Sequence, residues 1–263
     1  MRKVGLSVLK FLGILLATFF ILDTFIFLIE DIVDGQSILY PLVATWALLA
    51  YIILPRIHRV FTKIYLPDYY VGRTKTTDGF YGDPINIAFI GGEKSLHSAM
   101  KEAGWAKADD LTFKSSLKMI WASVRKKSYQ KAPVSSLFLF ARKQDFAYQQ
   151  EINGNPRVRH HIRFWKVPSG WWLPGGHQVD WLAAATFDKS VGLSLYTGQI
   201  THKVSSDTDE ERDYVVETIS KTEHFKSVSK IKNFTTAFHS RNGGGDRIKT
   251  DGSMPFVQLK EIK

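Results

Sequence analysis

One stretch constrains the chain before any other: "VGLSVLKFLGILLATFFILDTFIFLI", residues 4–29, in which Lys10 and Asp23 are the only charges. It stays apolar for longer than the roughly 20 residues needed to cross a bilayer core. Lys10 lies near the entry, where its stem can snorkel to the headgroups. A cleaved signal peptide starting from Arg2 and Lys3 is the competing reading, but no small-x-small cleavage site with a polar exit follows. A second run, "SILYPLVATWALLAYIILP", residues 37–55, is shorter, and its Tyr40, Pro41, Trp46 and Tyr51 suit membrane helices and interfaces. A buried core helix is the alternative there.

The segment between the runs, "EDIVDGQ", is acidic, whereas Arg2 and Lys3 precede the first run and Arg56, His58, Arg59 and Lys63 follow the second. The positive-inside rule then puts both ends in the cytoplasm. The expectation is a membrane anchor of two transmembrane helices over residues 1–55, a juxtamembrane linker over 56–82 and a cytoplasmic domain over 83–263.

The chain has no cysteine, which excludes disulfides, thiolate catalysis and cysteine zinc sites. Its formal net charge is +10. A basic domain held at the inner leaflet is attracted to anionic lipid. Nucleic acid is the other usual partner of such a charge, but no helix-turn-helix, zinc-finger or RNA-recognition pattern is present. The expected partners are therefore the membrane and an anionic lipid or phosphorylated ligand, with no nucleic acid.

The domain opens with "INIAFIGGEKSLHSAMKEAGW", a buried strand, a Gly91-Gly92 turn and a helix ending at Gly104. The glycine spacing matches no phosphate-loop pattern, so a tight turn is expected there. A second amphipathic helix follows in "DDLTFKSSLKMIWASVRKKSY", with Leu117, Ile120, Trp121 and Val124 inward. Beyond Pro133 the pattern changes to period two and predicts strands at 137–142, 145–152, 158–165, 181–188 and 193–204. A helix start is marked at Asp207, where Glu210 completes a capping box. Two short strands are expected around "NGGGD". The order predicts an α+β domain with a largely antiparallel sheet and flanking helices.

The densest chemistry is "RVRHHIRFW", residues 157–165. On a strand Arg157, Arg159, His161, Arg163 and Trp165 share one side, while Val158, His160, Ile162 and Phe164 share the other. The adjacent histidines point apart and cannot both ligate one metal. His160 is either a hydrogen-bonded core imidazole or, with Asp188 as partner, a catalytic one. The arginine row is either solvated or a phosphate-binding face, for which guanidinium forks are suited. His202 and the acids Asp207, Asp209 and Glu210 could join His160 in a divalent metal site, or supply a general acid and base for phosphoester hydrolysis. No specific metal signature is present, and no resident cofactor is expected.

Together "DPINIAFIGG", "AGWAKADDLT", "APVSSLFLFARKQDFAYQ", "RVRHHIRFW", "ATFDKSVGLS" and "TGQITHKVSSDTDEERD" resemble the LssY C-terminal domain family over residues 83–219. Related proteins often carry this domain behind a type 2 phosphatidic acid phosphatase or a DedA-like membrane segment. The resemblance therefore implies lipid phosphate metabolism at the bacterial inner membrane, with a membrane phosphatase as a candidate partner. No K-x6-R-P, S-G-H or S-R-x5-H-x3-D signature is present, and Ser169-Gly170 is followed by Trp171, so phosphatase chemistry does not carry over. The resemblance places His161, Arg163, Thr186, Asp188, Thr197, Gly198, His202, Asp209 and Arg212 on motif positions without assigned roles. The candidate catalytic residues are His161, His202 and Asp188; the candidate ligand-binding residues are Arg157, Arg159, Arg163, Thr197 and Arg212. The leading expectation is an accessory or binding domain for an anionic ligand, and the alternative is a phosphoester hydrolase.

Overall fold

The computed structural model describes residues 39–56, 72–110 and 128–262, with Phe19, Asp23, Ile26, Thr112, Ser115, Trp121 and Arg125. Most of the first apolar run, residues 57–71 and most of the second amphipathic helix thus lie outside the described residues. Trp121, expected inward, is exposed, with the Arg125 guanidinium 4.9 Å from its ring.

Among the described residues no helix is long and apolar enough to cross a membrane. The second apolar run forms helix α1 (Leu39–Leu48), continued by a π-helical turn over Leu49–Ile53. Its Ala50 and Ile53 are buried, and it is tied to the rest of the protein by side-chain hydrogen bonds. Trp46 Nε1 donates to the Gly198 carbonyl at 3.0 Å, and Gln199 Nε2 donates to the Ala50 carbonyl at 2.6 Å.

The domain is α+β with mixed sheets. An eight-stranded sheet runs in the order β11-β14-β3-β9-β8-β7-β4, with β10 paired to β9. Its strands are β3 (Ile87–Ile90), β4 (Ala106–Lys107), β7 (Phe146–Ile152), β8 (Asn155–Lys166), β9 (Trp181–Leu193), β10 (Ile200–Val204), β11 (Phe225–Ile231) and β14 (Met254–Leu259). Only the β14–β3 pairing within it is parallel. A four-stranded sheet has the order β2-β1-β5-β6, from β1 (Arg73–Thr76), β2 (Tyr81–Pro84), β5 (Leu137–Leu139) and β6 (Arg142–Lys143). β1 thus falls within residues 56–82, expected as linker. The hairpin of β12 (Phe238–Arg241) and β13 (Arg247–Thr250) flanks "NGGGD", as the sequence predicts.

Alternation along the central strands fills two cores. On one side Ile87, Phe89, Ile162, Phe164, Ala183 and Ala185 meet helices α2 (Glu93–Glu102) and α3 (Thr208–Ser220), through Leu96, Met100, Val215 and Ile219. On the other, Ala88, Trp165, Leu182 and Ala184 pack with Leu137 and Leu139 of the small sheet. β8 is therefore covered on both faces. The predicted strand 137–142 is a hairpin, turned at Phe140 and Ala141, both at positive φ (52° and 53°). The predicted strand 193–204 is broken by a turn at Ser194–Gln199. The Asp207 cap forms as predicted, its carboxylate accepting from the Asp209 and Glu210 backbone N–H groups.

Candidate functional site

Four candidate positions, Arg159, His161, Arg163 and Asp188, converge on the small-sheet side of β8 and β9. Register pairs Arg159 with Asp188 and His161 with Thr186, so their side chains share one face. Arg159 Nε donates to Asp188 Oδ2 at 2.9 Å, and a second donor of the same guanidinium reaches Gln149 Oε1. Arg163 Nη1 donates to Asp83 Oδ2 at 3.0 Å, and Ser135 caps the rest of its fork. Arg159, His161, Arg163, Asp188, Thr186, Gln149 and Asp83 are all buried. Two guanidinium groups are matched by two carboxylates, so the cluster is neutral without an added anion. From Arg159 to Arg163 the arginine row is not a solvated face, and Asp83 of β2 and Ser135 before β5 cover its Arg163 end.

The protonation pattern of His161 follows from its donors. Arg163 Nη1 lies 2.7 Å from His161 Nε2, and a guanidinium only donates. Nε2 must accept, which leaves the proton on Nδ1, 3.4 Å from Asp188 Oδ1. Thr186 Oγ1 is also 2.8 Å from Nε2 and 3.4 Å from Asp83 Oδ2. A hydroxyl, an imidazole and a carboxylate thus lie in the order used to activate a nucleophile, but Nδ1 makes no hydrogen bond to the carboxylate. Here the basic nitrogen is occupied by a guanidinium, and Thr186 is fully buried.

His202 completes the group. It sits on β10 beside β9, its Nε2 donating to the Pro156 carbonyl at 3.2 Å. Burial pushes its pKa down, against the pull of the Asp188 charge. Burial would raise the Asp188 carboxyl, but His161, Arg159 and His202 hold it far below the usual carboxylate range. Among the described residues no group of histidines and acids is placed to hold a metal ion.

His160 faces the opposite side, as strand geometry requires. Its partner is Glu211 of α3, at 2.7 Å from Nδ1, and its ring stacks on Tyr214 with centroids 4.0 Å apart. Burial raises the Glu211 carboxyl despite that contact. Arg157 is half-buried at the open end of β8. Thr197 serves the β9–β10 turn, its N–H bound to Ser194 Oγ at 3.2 Å. Arg212 is buried on α3 among Asp209 (2.9 Å), Asp213 (2.8 Å) and Asp251 (2.7 Å). Burial alone would lower its pKa, but these acids raise it, and its charge is spent inside the fold.

Sequence reading missed a second basic group, on the β12–β13 hairpin. Register pairs His239 with Lys249 and Arg241 with Arg247, so all four lie on one face. All four are exposed, while Ile248 and Thr250 on the other face are buried. They border an open concavity of about 400 Å³, shared with Ser206. Lys249 Nζ is 2.8 Å from Asp207 Oδ2. Among the described residues, neither Arg241 nor Arg247 ion-pairs with a carboxylate. Period two in "FHSR" and "RIKT" was the available signal.

Residues 63–254 match the family model of the LssY C-terminus, and the chain belongs to that family. No curated protein and no solved structure matches it.

Proposed function

We propose that this member of the LssY C-terminus family is a membrane-associated binding module that takes a phosphorylated or anionic group on the basic face of the β12–β13 hairpin. One observation carries the reading: Arg241 and Arg247 stand directly opposite each other, without a carboxylate partner among the described residues. Like charges across an antiparallel pair repel, and a bound dianion relieves that repulsion. Two guanidinium forks beside Lys249 and His239 suit tetrahedral phosphate oxygens. The internal arginines are less suited, since Asp188 and Asp83 already neutralise them.

Membrane attachment belongs to the same reading and rests on residues 4–29 and the charges around the apolar runs. It sets the domain beside a bacterial inner membrane, where a membrane phosphatase is a fitting partner. The test is calorimetric titration of the full chain with inorganic phosphate, and co-sedimentation with phosphatidylcholine vesicles with and without phosphatidate. Binding that weakens with salt and is lost in Arg241→Ala/Arg247→Ala supports the reading; unchanged binding in that variant sinks it.

The Thr186, His161 and Asp188 geometry favours a second reading, a phosphoester hydrolase. It requires Arg163 to leave His161 Nε2 and the cover over Thr186 to open. Turnover of a phosphomonoester, lost in Thr186→Val with the fold intact, would establish it.

A further inference from the structure

The turn between β9 and β10 carries apolar side chains that nothing among the described residues covers. Leu193 and Ile200 are a cross-strand pair and both are exposed. Leu195, at the tip, is 64% exposed. The turn is nevertheless rigidly built. Ser194 N–H bonds to the Gln199 carbonyl at 2.7 Å, and Gly198 N–H to the Ser194 carbonyl at 3.0 Å. Tyr196 is stacked on Phe80 at 4.9 Å. A fixed turn that holds leucine and isoleucine out in water is an interaction surface rather than a loose loop.

Two neighbours indicate what it meets. On one side lies α1 with its π-turn, where Leu42, Val43 and Ile52 are exposed; the Tyr51 hydroxyl accepts from Ile200 N–H at 3.0 Å. On the other lies the turn of the basic hairpin. Leu195 N–H donates to the Gly244 carbonyl at 3.0 Å, and a Cβ on Gly245 would stand 2.3 Å from Leu195 Cβ. Apolar tip, apolar helix and the basic Arg241–Arg247 face are thus adjacent. That is the chemistry of a bilayer interface, with apolar side chains below the headgroups and arginines level with them. Trp46, Tyr51 and Tyr196 beside the tip are the aromatic types enriched at that depth.

We infer that the β9–β10 turn inserts into one leaflet of the membrane, as an apolar anchor that sets the basic hairpin at headgroup level. The inference rests on the apolar residues and their packing, and insertion into neutral lipid is independent of the proposed phosphate site. Because the chain has no cysteine, a single introduced one can be labelled uniquely. An environment-sensitive fluorophore would be attached at Leu195→Cys, at Ile200→Cys as a second tip site, and at Lys221→Cys beyond the far end of α3. Each full chain would be reconstituted in phosphatidylcholine bilayers.

Expected is a blue shift and several-fold stronger quenching by spin-labelled acyl chains at the two tip sites than at Lys221→Cys. Circular dichroism checks each variant's fold. Tip labels that remain open to an aqueous quencher overturn the inference. So do tip labels shielded from both quenchers, with shielding that rises with protein concentration, which would assign the surface to a second copy. If the tip inserts in neutral lipid while Arg241→Ala/Arg247→Ala leaves anion binding unchanged, the anchor stands and the phosphate reading fails alone.

Discussion

His161 Nε2 accepts a hydrogen bond from Arg163 Nη1 at 2.7 Å, two residues along the same strand face. The contact decides the chemistry of the buried cluster, since it removes the imidazole's lone pair from any substrate. At neutral pH, nitrogen NMR is expected to show His161 as the Nδ1–H tautomer, with Nε2 as acceptor. Replacing Arg163 with Met lifts that constraint, and both tautomers then become populated. A wild-type spectrum with the proton on Nε2 contradicts this donor arrangement.

Asp83 of β2 and Arg163 of β8 form a buried ion pair, 3.0 Å apart, that holds the small sheet to the large one. Removing one buried partner strands the other's charge. Asp83→Ala is therefore expected to cost about 3–5 kcal/mol in urea denaturation. The double variant Asp83→Leu/Arg163→Met, which removes both charges, is expected to recover most of that loss. Equal losses in the single and double variants would show that packing, not the uncompensated charge, dominates.

His202 gives the stability a sign against pH. Burial first of all lowers its pKa from 6.5. The unfolded chain then binds a proton at higher pH than the folded one does, so stability falls as pH drops below the unfolded value. His97 is lowered too and adds the same sign. Glu211 is raised and opposes it, gaining stability as pH falls toward the unfolded 4.5. Asp188, held low, contributes stability present above its unfolded 3.8 and lost only in stronger acid. Comparing unfolding free energies at pH 7 and 5, His202→Gln is expected to lose less stability than the wild type. An unchanged difference would place the proton uptake elsewhere.

The sequence shows its period-two pattern plainly at β8, and with it the divergence of His160 from His161. It does not show that both faces are covered, because the cover comes from Asp83 and Ser135, remote in the chain. The Phe140-Ala141 turn carried no glycine or asparagine to mark its positive φ, so two short strands read as one. For His160 the sequence offers Asp188, at the end of the next predicted strand, whereas Glu211 is its partner, from a helix packed on the opposite face. Trp46 and Tyr51 suited a membrane helix by type, but type does not reveal that both also hydrogen-bond to the β9–β10 turn.

Arg247 is expected to oppose folding while serving binding. It stands across from Arg241 on an exposed two-stranded ribbon, where a like-charge pair destabilises by about 0.2–1 kcal/mol. Threonine at this position removes the repulsion and favours a strand. Arg247→Thr is therefore expected to unfold at slightly higher temperature than the wild type in phosphate-free, low-salt buffer. With saturating inorganic phosphate the order should reverse, because ligand that binds only the folded state stabilises the wild type more. Added sodium chloride should shrink the difference seen without phosphate, since screening weakens an exposed repulsion. If Arg247→Thr and the wild type shift equally with phosphate, the hairpin face is not the anion site.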